Sequence, residues 1–132
     1  NAFDEDLAQQ IYAGCDAFLM PSAFEPCGLG QLIAMRYGTL PIVRATGGLR
    51  DTVIEGVNGF VFEQRSRQEF IDAVTRAHRA YGTPKWDTMV QQAMNSDFGW
   101  DASAKQYISL YEKAMKRRAG HLMVQEPSEH CA

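Results

Sequence analysis

Twice in this chain a short apolar run leads straight into a glycine-bearing loop and from there into helical periodicity. The first run, Ala17-Phe18-Leu19-Met20, ends at Pro21. The loop from Ser22 to Cys27 then opens near Gly28 into a helix marked by Leu29, Leu32, Ile33 and Arg36-Tyr37, which closes at Gly38. The second run, Leu40-Pro41-Ile42-Val43, is followed by Ala45-Thr46-Gly47-Gly48 and a short amphipathic turn from Leu49 to Ile54. Short apolar strands alternating with helices through loops of a few residues argue for a parallel sheet with helical crossovers, the doubly wound α/β class.

The flanks extend that pattern. Leu7, Ala8, Ile11 and Tyr12 recur at helical spacing between Asp6 and Cys15, with Gly14 as the stop, and Asn58-Gly59 turns the chain into Phe60-Val61-Phe62. Helical periodicity returns at about residues 67–81, 84–95 and 101–118, with Ser66, Thr83 and Asp101 placed as caps or near-caps. The expected fold is a Rossmann-like parallel sheet with flanking helices over residues 1–118, followed by a flexible tail over 119–132. Two clear strands and one short one are few for so many helices. The sheet is therefore expected to be incomplete, with an N-terminal portion missing, and Asn1 is an unusual first residue. No internal repeat is visible.

Composition narrows the function. At 132 residues the chain is one domain or a piece of one, by the usual ~100–200 residues per domain. With 45% hydrophobic and 22% charged residues it lies in the globular range. A net charge of -3 gives no basic field for nucleic acid, and only Lys116-Arg117-Arg118 clusters. No apolar run reaches the ~18–20 residues of a membrane span, and Asn1 to Glu5 has no signal-peptide pattern, so a cytoplasmic protein is expected. Cys15, Cys27 and Cys131 are odd in number and lack CxxC spacing, which favours free thiols over a disulfide framework or a zinc site.

In an open parallel sheet, ligands collect beyond the carboxyl ends of the strands. Two loops have that position. Pro21 to Gln31 places the backbone amides of Gly28 to Gln31 and a helix N-terminus where an anion such as phosphate could sit. Gly28 and Gly30 would let the backbone approach a diphosphate, and Glu25, held by Pro26, could address a neutral polyol beside it. The plainer reading is a tight loop with a solvated glutamate. Arg44-Ala45-Thr46-Gly47-Gly48-Leu49 could complete the pocket, or could be only a turn that needs positive φ at glycine.

Other chemistries have less support. Gly28-Leu29-Gly30 is followed by Ile33 where a dinucleotide fingerprint needs its third glycine, and the preceding loop is too long, which argues against NAD. His78, His121 and His130 have no Ser or Cys at motif spacing and read as surface residues. Trp86, Phe98, Trp100, Tyr107 and Tyr111 read as helix-packing aromatics, and the charges along Lys105 to Arg118 as a solvated helix face.

The run Phe24-Glu25-Pro26-Cys27-Gly28-Leu29, with Gln31-Leu32, Ala34-Met35, Tyr37-Gly38-Thr39, Pro41, Val43-Arg44, Thr46-Gly47-Gly48-Leu49 and Asp51-Thr52-Val53, closely resembles the C-terminal domain of bacterial glycogen synthases and plant starch synthases. A weaker pattern in the flanks carries the resemblance over most of residues 1–118. The resemblance implies a retaining glucosyltransferase of the B-type fold, two Rossmann-like domains facing a cleft. Such an enzyme moves glucose from ADP-glucose to the nonreducing-end 4-hydroxyl of an α-1,4-glucan. It implies no metal and no cofactor beyond the ADP-glucose substrate, and the partners are the donor, the glucan and the enzyme's own N-terminal domain. Neither nucleic acid nor a membrane is expected, and the location is the cytoplasm, or the plastid in a plant.

Carried over residue by residue, the resemblance makes Glu25 the active-site glutamate, as a nucleophile or as a stabiliser of oxocarbenium-like charge. It places Cys27, Gly28, Leu29 and Gly30 at the donor sugar and diphosphate, and Phe3, where the family often has Tyr, against the nucleotide base. Arg44, Thr46, Gly47 and Gly48 form a possible further part of the pocket. Gly30 replaces the usual bacterial Thr, and Ala45 a frequent second Arg. Ile33 stands where many related transferases carry a second Glu, which favours the synthase branch. The family's N-terminal Lys-containing glycine motif and its diphosphate-binding Arg and Lys lie outside this segment, so the segment alone is expected to be inactive. Competing readings are a noncatalytic nucleotide- or glucan-binding module and another retaining sugar transferase, such as a sucrose synthase relative.

Overall fold

A computed structural model describes residues 4–123. The elements run α1 (Glu5–Gly14), β1 (Ala17–Met20), α2 (Gly30–Arg36), β2 (Leu40–Arg44), α3 (Gly48–Thr52), β3 (Phe60–Phe62), α4 (Arg67–Ala80), α5 (Pro84–Met94) and α6 (Trp100–Met123). The strands form one parallel sheet in the order β1-β2-β3. Ala17 pairs with Leu40 and Met20 with Val43, and Ile42 pairs with Phe60 and Arg44 with Phe62. Parallel neighbours need a crossover, and α2 and α3 provide the two crossovers.

β2 is central because it pairs with a strand along each edge, and both its faces are covered. Strand side chains alternate, so Leu40 and Ile42 pack on one side with Met35, Phe60 and Phe62, against Ala73 and Ala77 of α4 and Trp86, Met89 and Ala93 of α5. On the other side Val43 meets Leu49 and Val53 around α3, with Met20 and Val61 packed against them. Helices on both faces are what make Leu40 to Val43 uniformly buried, and what made their sequence read as an unbroken apolar run.

Local chemistry ends the helices where the sequence indicates. The Ser66 and Thr83 side chains accept from the amides of Glu69 and Trp86, and Asp4 does the same for Leu7 in α1. α2 starts at Gly30 rather than near Gly28, because Gly28 sits at φ +75°, outside the helical region. Gly38, at φ +82°, ends it. The next residue, Thr39, is buried with Oγ1 2.5 Å from the carbonyl of Tyr12 and 2.6 Å from that of Cys15, which ties α1 to the start of β2.

The two sheet edges differ. At β3, Glu55 accepts from the Val61 amide (2.6 Å), and Arg76, paired with Glu55 at 3.0 Å, donates to the Val61 carbonyl (2.7 Å). Side chains thus close that edge. At β1 no strand among the described residues pairs with the outer edge, and Leu19 is 50% exposed.

The chain divides into two compact units, Asn1–Ser96 and Asp97–Ala132. α6 begins one residue before Asp101, which therefore lies in its first turn, and continues past Arg118 to Met123; residues 124–132 fall outside those described. The packing role expected of the aromatics holds only for Trp86, which stacks on Phe60 at 6.2 Å. Phe98, Trp100, Tyr107 and Tyr111 are exposed, since helical spacing sets the face a residue occupies and not what covers that face. His78 is exposed in the last turn of α4, and Cys15 and Cys27 are free thiols.

Truncating Met89 to Ala is expected to cost roughly 2–5 kcal/mol, through lost burial and the cavity left behind. His78→Ala should stay within about 0.5 kcal/mol. Urea unfolding midpoints at constant slope measure both.

Candidate functional site

β1 and β2 are adjacent and parallel, so their carboxyl ends lie side by side at Met20 and Val43 and release their loops on the same rim of the sheet. These are the two loops singled out in the sequence, and the structure nests them backbone against backbone. The Gly48 amide donates to the Pro26 carbonyl at 3.3 Å. A Cβ on Gly47 would fall on the carbonyl oxygen of Glu25, and a Cβ on Gly48 on that of Cys27. Gly47 also sits at φ +46°, so the turn reading holds there together with the close approach. Arg44 locks the arrangement from below: its Nε donates to Ser22 O at 2.8 Å and its Nη2 to Ala23 O. The cation expected to face an anion thus braces the glutamate loop through that loop's carbonyls.

The two loops contribute differently. At α3 the amides of Gly48, Leu49 and Arg50 are taken up by the carbonyls of Pro26, Thr46 and Gly47. At α2 the N-cap Leu29 offers no side-chain acceptor, and among the described residues no acceptor meets the amides of Gly28 to Leu32. α1, α4 and α5 are each capped by a side chain. The open amides of the site are therefore those of the first loop and the first turn of α2, a donor array suited to an anion.

Beneath that array lies a polar contact that sequence reading did not identify. Gln31 is fully buried, and its Nε2 donates to the carbonyls of Gly28 (2.9 Å) and Cys27 (3.3 Å) and to Thr52 Oγ1 (3.2 Å). Thr52 Oγ1 donates in turn to the Gly48 carbonyl at 2.7 Å, joining the two loops through side chains. The signal was available: Gln31 shares the buried stripe of α2 with Ala34 and Met35, where an apolar residue would ordinarily stand.

The remaining candidates take their places around this frame. Glu25 is half-buried, and its carboxylate has no hydrogen-bond partner among the described residues. Gly28 is buried, while Cys27 and Leu29 are exposed, and Phe24 beside Glu25 is 75% exposed. The missing Cβ of Gly30 points at the Phe18 ring (3.2 Å) and the Tyr12 hydroxyl (3.3 Å), so a side chain there would press on that aromatic pair. Thr46 is half-buried and its carbonyl accepts from Leu49. Phe3 lies outside the described residues. Among the described residues no group of His, Cys, Asp and Glu is placed to hold a metal ion.

A parallel sheet with helical crossovers that gathers its loops at the carboxyl ends of the strands is the architecture of an open α/β domain. Residues 3–93 match the family described as glycosyl transferases group 1, and the chain belongs to that family. It is 52% identical over 121 residues to a glycogen synthase of Kosmotoga olearia, covering 86% of this chain and 25% of that protein. It is 56% identical over 117 residues to a glycogen synthase of Exiguobacterium sibiricum, covering 83% and 24%. The catalytic domain of starch synthase IV from Arabidopsis thaliana, bound to ADP and acarbose, superimposes with a TM-score of 0.76 at 44% identity, over 87% of this chain and 26% of that one. The chain thus spans about a quarter of the length of these relatives.

Gly48→Ala must push the Cys27 carbonyl aside and is expected to cost roughly 1–3 kcal/mol in the urea midpoint. Gly14, with nothing within 4 Å of a built Cβ, should accept Ala with a gain of about 0.4–1 kcal/mol.

Proposed function

We propose that this chain is part of the nucleotide-sugar domain of a retaining glucosyltransferase, a glycogen or starch synthase that transfers glucose from ADP-glucose to the nonreducing-end 4-hydroxyl of an α-1,4-glucan. The observation that carries this reading is the nesting of the two loops, which brings the Glu25 carboxylate and the open amides of Gly28 to Leu32 to one rim. The identity to glycogen synthases supports the acceptor class, and the ADP in the starch synthase IV structure supports the donor.

In this reading the amides of Gly28 to Leu32 receive the diphosphate and take up charge as the glycosidic bond to phosphate breaks, the task a metal ion would otherwise perform. The proposal includes no metal and no cofactor beyond the substrate. Glu25 lies against the transferred glucose and stabilises the positive charge that grows on its anomeric carbon. Cys27, Leu29 and Gly30 line the sugar and diphosphate, Phe3 stacks on the base, and Arg44 with Thr46, Gly47 and Gly48 holds the glutamate loop in register. The N-terminal domain of the same enzyme supplies the further cationic groups, and an upstream strand extends the sheet at the open edge of β1. No helix among the described residues is long and apolar enough to cross a membrane. The cytoplasm, or the plastid in a plant, belongs to the proposal.

In the full-length enzyme, Glu25→Gln is expected to lower kcat for transfer from ADP-glucose to glycogen roughly 10²–10³-fold while leaving ADP affinity within about twofold. Near-normal turnover would remove the role given to Glu25. An unaltered enzyme that transfers to fructose and not to glycogen would replace the synthase reading with a sucrose-forming one.

A further inference from the structure

We propose that Gln31 and Thr52 are positioning residues for the donor diphosphate: the part-buried hydrogen bond between them aims the Gly28 and Leu29 amides at it. The inference rests on the functional reading above and adds to it two residues that never touch substrate.

A trans peptide points its carbonyl and its N–H in opposite directions. Gln31 Nε2 draws the Cys27 and Gly28 carbonyls inward, toward the buried face of α2. The N–H groups on the far side of those two peptides belong to Gly28 and Leu29, and they are turned outward, where no acceptor among the described residues meets them. One side chain thus sets the direction of two donors and extends the open row of α2 into the loop. Thr52 fixes that side chain in place. It accepts from Nε2 and donates to the Gly48 carbonyl, so the amide of Gln31 is referenced to the second loop.

The arrangement is not the one that packing alone would select. Gln31 Oε1 is buried and has no hydrogen-bond partner among the described residues. It lies 2.5 Å from where a Gly28 Cβ would be, and Gly28 sits at φ +75°, so a side chain there would be strained and would press on the glutamine amide. Flipping the amide would set an oxygen against two carbonyls, so the orphan oxygen follows from committing Nε2, whose two hydrogens are shared among the Cys27 and Gly28 carbonyls and Thr52 Oγ1. A buried polar group that leaves one atom unpaired while holding a loop at a functional rim is a structural cost kept for position.

The test uses the full-length enzyme with ADP-glucose and glycogen, and reads kcat, both KM values and the thermal midpoint. Gln31→Met and Thr52→Val are expected to lower kcat/KM for ADP-glucose on the order of a hundredfold for Gln31→Met and less for Thr52→Val. The KM for glycogen should not change. The double variant should be no worse than Gln31→Met alone, because the two residues act as one unit. Thr52→Ser, which keeps the hydroxyl, should restore near-normal values. Thr39→Val removes a buried hydroxyl away from the rim and should lower the midpoint with the KM for ADP-glucose unchanged. The inference is overturned if Gln31→Met behaves as the unaltered enzyme, if the two effects multiply, or if Thr39→Val raises the ADP-glucose KM equally. Absence of glucose transfer by the unaltered enzyme would instead defeat the functional reading, and this inference with it.

Discussion

Two backbone carbonyls, those of Glu25 and Cys27, stand where the Cβ atoms of residues 47 and 48 would be, and the site depends on that contact. Parallel pairing of β1 with β2 brings the two loops to one rim, but only glycine at both positions allows the backbones to meet. With the loops touching, the Gly48 amide reaches the Pro26 carbonyl and Arg44 reaches those of Ser22 and Ala23. The main chain around Glu25 is thereby held on both sides, while its carboxylate has no hydrogen-bond partner among the described residues. A side chain at either glycine would shift the glutamate before it altered any surface available to substrate.

The distribution of hydrogen bonds separates scaffold from site. Where a helix serves packing, its N-terminus is closed by a neighbouring side chain, as Asp4, Ser66 and Thr83 do. The β3 edge is closed by Glu55 and Arg76 in the same way. At the rim the rule is broken: among the described residues the amides from Gly28 to Leu32 meet no acceptor, and Gln31 sits in a position of the α2 stripe that would otherwise be apolar. Local inconsistency of this kind marks functional sites in proteins that are otherwise well satisfied. The proposed stabilisation of a diphosphate by preorganised dipoles requires donors without an acceptor of their own, and among the described residues these amides have none.

Much of this was legible in the residues and some was not, for physical reasons. β1 ends at Met20 and β3 spans Phe60–Phe62 as read, because burial and turn chemistry are local signals. Ser66 and Thr83 cap as read because capping is set within three residues. Glycine loops after two apolar runs marked two loops that do share one rim, but their nesting joins residues some twenty positions apart and leaves no periodic trace. For the same reason Arg44 read as a possible part of the pocket, whereas its hydrogen-bond partners are the carbonyls of Ser22 and Ala23. Gln31 was read for its backbone amide alone, since its side-chain role requires Thr52, a full strand and loop away. Exposed Trp100 and Tyr111 show the converse, helical spacing without burial.

The most direct test of the account is amide hydrogen exchange in the full-length enzyme with and without ADP. Amides without an acceptor exchange rapidly, and those already bonded within the fold do not. ADP should therefore slow exchange sharply from Gly28 to Leu32, where the amides are open. It should change Gly48 to Arg50 little, where they are already engaged. Protection centred on α3, or a bound nucleotide that leaves residues 28–32 exchanging as before, would contradict the claim that this rim is the diphosphate site.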